Sequence, residues 1–482
     1  MARARRSTWT FIAGFAAGAA ALSLMATRRR RRPLHPRIIR ALPRGGDPAP
    51  VVFVPGLCGS QLLRPDGSEA WLNIWNTIGH HDLRLPGTLP FLSSRDQLHP
   101  GLLVGTDALL PRAFGFTEYA DVLDLFDAAG FEPGIGPGPR YAVFSYDWRR
   151  DLIESARHLA LRLEGLAAAL DNRDARFHLV GHSLGGLVVR YYLRYGGAEP
   201  RPGAPVRWAG ARRIASVVQV ATPNAGSIAA LGAIVEGERV GFSHTTLAAP
   251  VIQRMPSVYQ LLPPAGTHAL VDPSGRSLDD DLQDPATWEK FGWGPFAPNA
   301  SAAIAAERGF VRAALDRARE LHEALCRPSA TPCPVPVYVL GGDCLLTAGR
   351  AVAGEGPPGT PPRLDARTRA EQDLLFEPGD GRVTRSSLLG GHLPDASALG
   401  TDSGYGETTR VFLGSADHHG HYADPASQSV LLRLLLRPAP STEPSTGREQ
   451  GGEQGSDSSE ANRAETDAGA GAVIANARAD GI

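Results

Sequence analysis

"HLVGHSLGGLVVRYYL" spans residues 178–193. Ser183 stands there between Gly181 and the pair Gly185–Gly186, with an apolar run on either side. The run before it, Phe177 to Gly181, has the composition of a buried strand. The run after it, 183–195, spaces its apolar residues as a helix does. A chain that passes from strand to helix in so few residues must fold back sharply. Glycine at 181 and 185 removes side chains that would collide in that turn. The serine is then held in a strained conformation, its hydroxyl directed out of the sheet at the positive end of a helix.

Strand, Gly-His-Ser-Leu-Gly-Gly and helix together make the nucleophile elbow of an α/β-hydrolase. The sequence around it has the matching rhythm. Strands are predicted at 50–56, 141–148, 177–181, 214–223, 335–343 and 409–414. Helices are predicted over 183–195 and 424–436, and over an apolar stripe formed by Leu152, Ala156, Leu159, Leu163, Leu166 and Leu170. Such alternation predicts a mostly parallel central sheet with helices on both faces. Two long intervals, 61–135 and 224–298, interrupt it. Connections of that length in a compact domain usually serve a purpose, and these predict a cap or lid over the sheet's C-terminal edge. Trp288, Phe291, Trp293 and Phe296 are expected to pack within it.

A serine hydroxyl is a weak nucleophile and needs a base, which in turn needs an orienting acid. In this fold the order along the chain is serine, acid, histidine. Beyond Ser183 lie His244, His268, His322 and His392, then a cluster of His418, His419 and His421. The cluster follows the last strand and precedes the last helix, where the fold places its base. Asp380, in a glycine-flanked turn, and Asp343, at a strand end, are the candidate acids. The tetrahedral intermediate also needs two backbone N–H donors. Leu184 follows the serine, and Leu57 lies in the glycine-rich turn "VPGLCGS" (54–60); these two are the expected oxyanion hole, with Cys58 a small packed residue. A metal reading of His419 and His421 with "GHHD" (79–82) would leave the elbow without a role, so neither metal nor cofactor is expected.

The chain has 482 residues, with Lys+Arg 49 against Asp+Glu 50, a balance that gives no reason to expect nucleic acid as a partner. Lys290 is the only lysine. Cys58, Cys326, Cys333 and Cys344 are too scattered for a disulfide scaffold or a zinc ribbon; a bridge from Cys326 to Cys333 is conceivable in an oxidising compartment, and separate thiols are the plainer reading. Residues 9–26 form an apolar run close to the minimum that spans a bilayer, roughly 17 residues. Arginines at 3, 5 and 6 precede it, and those at 28–32 follow. The trailing arginine block argues for an uncleaved anchor over a cleaved signal. The expected organisation is therefore an anchor or signal-like segment over 1–47, a catalytic domain over 48–437, and a disordered acidic tail over 438–482.

Seven segments in order give a more specific indication: "PVVFVPGLCGSQL" (50–62), "AWLN" (70–73), "YDWRRD" (146–151), "GHSLGG" (181–186), "ATPNAGS" (221–227), "MPSVYQLLP" (255–263) and "GDGRV" (379–383). With them the chain resembles the lecithin:cholesterol acyltransferase family. The resemblance implies a lidded α/β-hydrolase that acts on acyl esters of lipids through an acyl-serine, at a membrane or micelle surface. It implies Ser183 as nucleophile and Asp380 as acid. It favours His418 as base, because Asp424 lies six residues after it, where the family has Asn or Asp before the last helix. Two departures stand out: no cysteines flank "AWLN", and Arg382 replaces a usually small residue. The acyl group is expected to pass to water or to a lipid alcohol. The rival expectations are a soluble carboxylesterase for non-lipid esters and an inactive lipid-binding protein of the same fold.

Overall fold

A strand with no polar side has to be covered on both faces, and the centre of this protein is built from such strands. The computed structural model describes residues 48–71, 83–87, 96–104, 118–239, 246–390 and 408–436. The expected anchor at 9–26, the tail at 438–482, "GHHD", His244 and His392 lie outside the described residues. Seven strands form one parallel sheet: β1 (Val51–Val54), β2 (Glu132–Pro133), β3 (Arg140–Val143), β4 (Phe177–His182), β5 (Ile214–Val220), β6 (Val337–Gly342) and β7 (Arg410–Gly414). Their spatial order is β7–β6–β5–β4–β1–β3–β2. The chain enters at β1, builds outward to β2 and β3, then returns across to β4 and builds the other way. The direction reverses between β1 and β4, so a crevice opens at their C-terminal ends.

Alternate residues of β1 feed two different cores, as a period of two requires. Val52 and Val54 face α2 (Leu152–Ala169), α3 (Leu184–Tyr195) and α4 (Arg308–Cys326) in one apolar cluster. Val51 and Phe53 face α1 (Glu118–Ala128) and α5 (Pro425–Leu435) in the other. Helices therefore cover both faces. Helix α4 is an addition to the sequence reading; Phe310, Val311, Ala314, Leu315, Ala318 and Leu321 bury one stripe of it.

The interval 61–135, expected to form a cap, contributes in part to the central domain. Its helix α1 buries Val122, Leu125 and Phe126 against the sheet, and its strand β2 pairs with β3. The rest includes a three-stranded antiparallel sheet, in which Ser60–Leu63 pairs with Glu69–Trp71 and His99–Leu103. The "YDWRRD" segment fastens this sheet: the Tyr146 hydroxyl donates to the Pro55 carbonyl at 2.9 Å and Trp148 Nε1 to the Ser60 carbonyl at 3.0 Å. In 224–298, Trp288 and Trp293 are buried edge to face and Phe291 stacks on Trp293. Gln260 of "MPSVYQLLP" joins three elements. Its Oε1 accepts from Leu152 N at 2.9 Å, its Nε2 donates to Asp151 at 2.6 Å, and its carbonyl meets His322 Nε2 at 2.9 Å. Cys333 directs its thiol at the Val335 carbonyl, 3.2 Å away. No helix among the described residues is long and apolar enough to cross a membrane.

His178, His322 and His421 are buried, and burial above all lowers each imidazole from 6.5 to about 4. The unfolded chain binds these protons near pH 6.5 and the folded chain only near pH 4, so folding stability should be full above 6.5 and fall as pH drops through that window. Each histidine should contribute a slope of up to ~1.4 kcal/mol per pH unit. Denaturant titrations at pH 7, 6 and 5 should show the decline. His322→Gln, which retains an N–H for the Gln260 carbonyl, should flatten the slope by about one proton's share.

Candidate active site

Ser183 sits at the end of β4 with φ 50 and ψ −123, backbone angles that residues other than glycine seldom adopt. Strain of this kind costs roughly 1–3 kcal/mol and persists only where the surroundings enforce it. Here they do. Ser183 N donates to the Val220 carbonyl of β5 at 2.8 Å, and Gly186 N donates back to the Ser183 carbonyl at 2.9 Å. A Cβ on Gly185 would overlap the Val54 and Pro55 carbonyls, and one on Gly186 would overlap Thr222. A Cβ on Gly181 would lie 2.7 Å from Gly186 Cα. The glycines thus let the turn close on itself and let α3 pass directly beneath β1.

His418 lies in the loop between β7 and α5. Its Nε2 is 3.0 Å from Ser183 Oγ, and its Nδ1 is 2.9 Å from Asp380 Oδ2. Its backbone N–H donates to the Asp380 carbonyl at 2.9 Å, which fixes the loop as well as the ring. Asp424 caps α5, accepting from Ser427 N at 2.8 Å, and so ends the loop that carries the histidine. His419 is exposed, with its backbone N–H on Asp417.

Asp380 follows the ribbon formed by Leu345–Ala348 and Phe376–Gly379. Its Oδ1 accepts from Arg382 N at 2.9 Å and from Val383 N at 2.7 Å, leaving Oδ2 for the histidine. Burial pushes the carboxyl upward, but the hydrogen bond and charge of His418 with the two backbone donors outweigh it and hold the group below 3.8. Asp343 is elsewhere, with Arg385 Nη1 3.9 Å from its carboxylate. The "ATPNAGS" segment holds the acid's loop in place. Asn224 Nδ2 donates to the Leu388 carbonyl at 2.9 Å, and Ser227 Oγ to the Arg382 carbonyl at 2.7 Å. The Arg382 side chain reaches Glu238 at 3.0 Å.

The turn after β1 abuts the serine: a Cβ on Gly56 would lie 3.0 Å from Ser183 Cβ. Leu57 and Leu184 therefore flank the crevice from its two sides, one after β1 and one at the first position of α3. Cys58 has φ 64, and its carbonyl accepts from Trp71 Nε1 at 3.0 Å. Two further residues belong to this region and were not singled out from the sequence: Tyr119 and His182. His182 was visible within "GHSLGG", whereas nothing in its own neighbourhood marks Tyr119.

A hydroxyl paired with an imidazole that is itself paired with a carboxylate can lose its proton as it attacks an ester carbonyl. That capacity, at the switch point of a parallel sheet, defines a serine hydrolase of the α/β-hydrolase fold. The sequence profile of the lecithin:cholesterol acyltransferase family matches residues 113–289, a span that includes the elbow and the "YDWRRD" and "MPSVYQLLP" segments. Over those residues the chain is similar to that family. Among solved structures it is similar to the Tle4–Tli4 complex, at 15% identity over 81% of this chain and 98% of that one, with a TM-score of 0.48. It is also similar to the Bacillus licheniformis lipase BlEst2 in its mature form, at 14% identity over 82% and 94%, with a TM-score of 0.35. For phospholipase PlaB from Legionella pneumophila the identity is 14% over 61% and 39%, with a TM-score of 0.24. No curated protein sequence matches the chain significantly.

Asp380→Asn should leave a hydrogen bond but favour the wrong imidazole tautomer, lowering kcat by roughly 10⁴-fold with little change in substrate binding. Asp343→Asn should leave kcat within a few-fold. Likewise His418→Ala should abolish acylation and His419→Ala should not. Steady-state kinetics on the four variants decide both assignments; a more damaging change at 343 or 419 would reassign the acid or the base.

Proposed function

We propose that Ser183 is the nucleophile, His418 the general base and acid, and Asp380 the group that orients it, with the N–H groups of Leu57 and Leu184 as oxyanion donors. The observation that carries this reading is the unbroken series from Ser183 Oγ through His418 to Asp380, at 3.0 and 2.9 Å. As Ser183 Oγ attacks the acyl carbon, its proton passes to His418 Nε2 and the carbonyl electrons move to oxygen, which the two N–H groups receive. Collapse expels the alcohol of the ester, which takes the proton from His418, and leaves an acyl-serine. A second hydroxyl, from water or from a lipid alcohol, then gives its proton to His418 and attacks the acyl carbon, releasing Ser183.

Which hydroxyl completes the cycle depends on what reaches the acyl carbon, since both routes use the same groups. Positioning a bound alcohol can contribute several kcal/mol, up to about 7–11 for an ideally oriented pair, enough to compete with water. We therefore read the basal reaction as cleavage of phospholipid-type esters on aggregated substrate, with acyl transfer when a lipid alcohol is supplied. The apolar run at 9–26 between arginine flanks supports attachment to a membrane, where such substrates reside.

A fluorophosphonate should label Ser183 and no other serine, and Ser183→Ala should lower turnover on the order of 10⁴-fold or more with the fold intact. Labelling elsewhere ends the assignment. Mixed vesicles carrying labelled phospholipid with sterol or diacylglycerol should yield both free fatty acid and acylated alcohol. Fatty acid alone would remove the transferase half, and a preference for short soluble esters would favour a non-lipid carboxylesterase.

A further inference from the structure

Beneath the triad runs a second hydrogen-bonded series that the acyl-transfer steps leave unused. The Tyr119 hydroxyl, from α1, accepts the Gly56 N–H at 2.9 Å and lies 3.1 Å from His182 Nδ1. His182 Nε2 lies 3.1 Å from the His418 carbonyl oxygen. Both side chains are buried, at 4% and 2% exposure, and their rings meet edge to face. The chemistry of the partners places the protons. A carbonyl oxygen only accepts, so Nε2 of His182 carries a hydrogen. In the neutral imidazole Nδ1 is then an acceptor and takes the Tyr119 O–H, while the phenol oxygen takes the Gly56 N–H. One tautomer satisfies all three contacts.

This series touches each moving part of the proposed reaction. Gly56 adjoins Leu57 in the oxyanion turn, His182 adjoins Ser183, and the carbonyl it holds belongs to His418. There is little slack among them. A Cβ on Gly59 would lie 2.8 Å from Tyr119, and one on Gly56 would lie 3.0 Å from Ser183. We propose that Tyr119 and His182 are positioning residues, holding the oxyanion turn and the base loop in register with Ser183; this rests on the triad reading above. Because the register matters where charge develops, its loss acts on the transition state more than on bound substrate.

The test is kinetic, on the full chain with a chromogenic ester and with micellar phospholipid. Tyr119→Phe should lower kcat about 10- to 100-fold, the scale of a small misplacement, with KM within about twofold. His182→Ala should do the same. His182→Gln, whose amide N–H can still reach the His418 carbonyl, should recover most of that loss, which a merely structural role would not predict. The double change Tyr119→Phe with His182→Ala should cost little more than the worse single change, since both break one series. Thermal denaturation of each variant confirms that folded protein is compared. A kcat within twofold for Tyr119→Phe, a glutamine no better than alanine, or fully multiplicative losses would overturn the proposal. Ser183→Ala run alongside separates the failures. If it retains activity, the triad falls and the positioning role with it; if it is inactive while Tyr119→Phe is unaffected, the positioning role falls alone.

Discussion

The strained turn at Ser183 is the constraint on which the rest of the protein depends. Its positive φ is held by neighbours on the two strands that flank β4. β5 supplies the carbonyl that accepts the Ser183 N–H, β1 ends in the carbonyls that Gly185 must clear, and Thr222 beyond β5 closes on Gly186. The elbow is therefore a product of the sheet order, not of the motif alone. The magnitudes agree with its persistence. Strain of roughly 1–3 kcal/mol is outweighed by burying Leu184, Leu187, Val188, Val189 and Tyr191 of α3, each large apolar side chain contributing about 1.5–3 kcal/mol. A buried helix holds a turn it would otherwise relax.

The acid obeys a different balance. Burial pushes the Asp380 carboxyl upward, and a neutral carboxyl would stabilise an imidazolium less than a carboxylate does. Two backbone donors and His418 reverse that tendency, so the group stays ionised in a nearly closed setting. Those donors exist because Gly381, at φ 91, turns the chain back towards the carboxylate. The loop is pinned from the other side by Asn224 and Ser227, which gives "ATPNAGS" a positional role rather than a chemical one.

The parts legible in the sequence were those specified locally. Apolar runs disclosed six strands of the main sheet, the leucine stripe disclosed α2, and the elbow disclosed the serine. Spacing alone left Asp380 and Asp343 both open and the resemblance favoured Asp380; in the fold, it is Asp380 whose carboxylate lies 2.9 Å from His418. Helix α1 was hidden for a related reason. It is short, and it lies within an interval that otherwise reads as irregular. Helix α4 did carry a periodic apolar stripe, but alanines weaken it and charged residues interrupt it. Tyr119 could not be found at all, since its meaning arises from contacts 63 residues away in sequence.

The first interval expected to form a cap poses a last physical question: what fastens it where no cysteines flank "AWLN". Residues 83–87 are held by two arginines from separate parts of the body. Arg149 Nη1 donates to the Leu83 carbonyl at 3.0 Å, and Arg254 Nη1 to the Leu85 carbonyl at 3.0 Å. Gly87 leaves room for the second guanidinium, which a Cβ would overlap. Arg149 is fully buried; it pairs with Asp147 and reaches Asp96 at 2.7 Å, the start of the strand-bearing segment 96–104. A lysine could not serve there, because one ammonium cannot meet a bidentate carboxylate, a second carboxylate and a carbonyl together. Breaking such a buried pair leaves charges without compensation, a cost of about 3–5 kcal/mol, comparable with losing a disulfide at about 2–5 kcal/mol. Unlike a disulfide, this fastening is independent of redox state. The "YDWRRD" segment thus secures residues 83–87 and 96–104 electrostatically, from the end of β3, which pairs with β1.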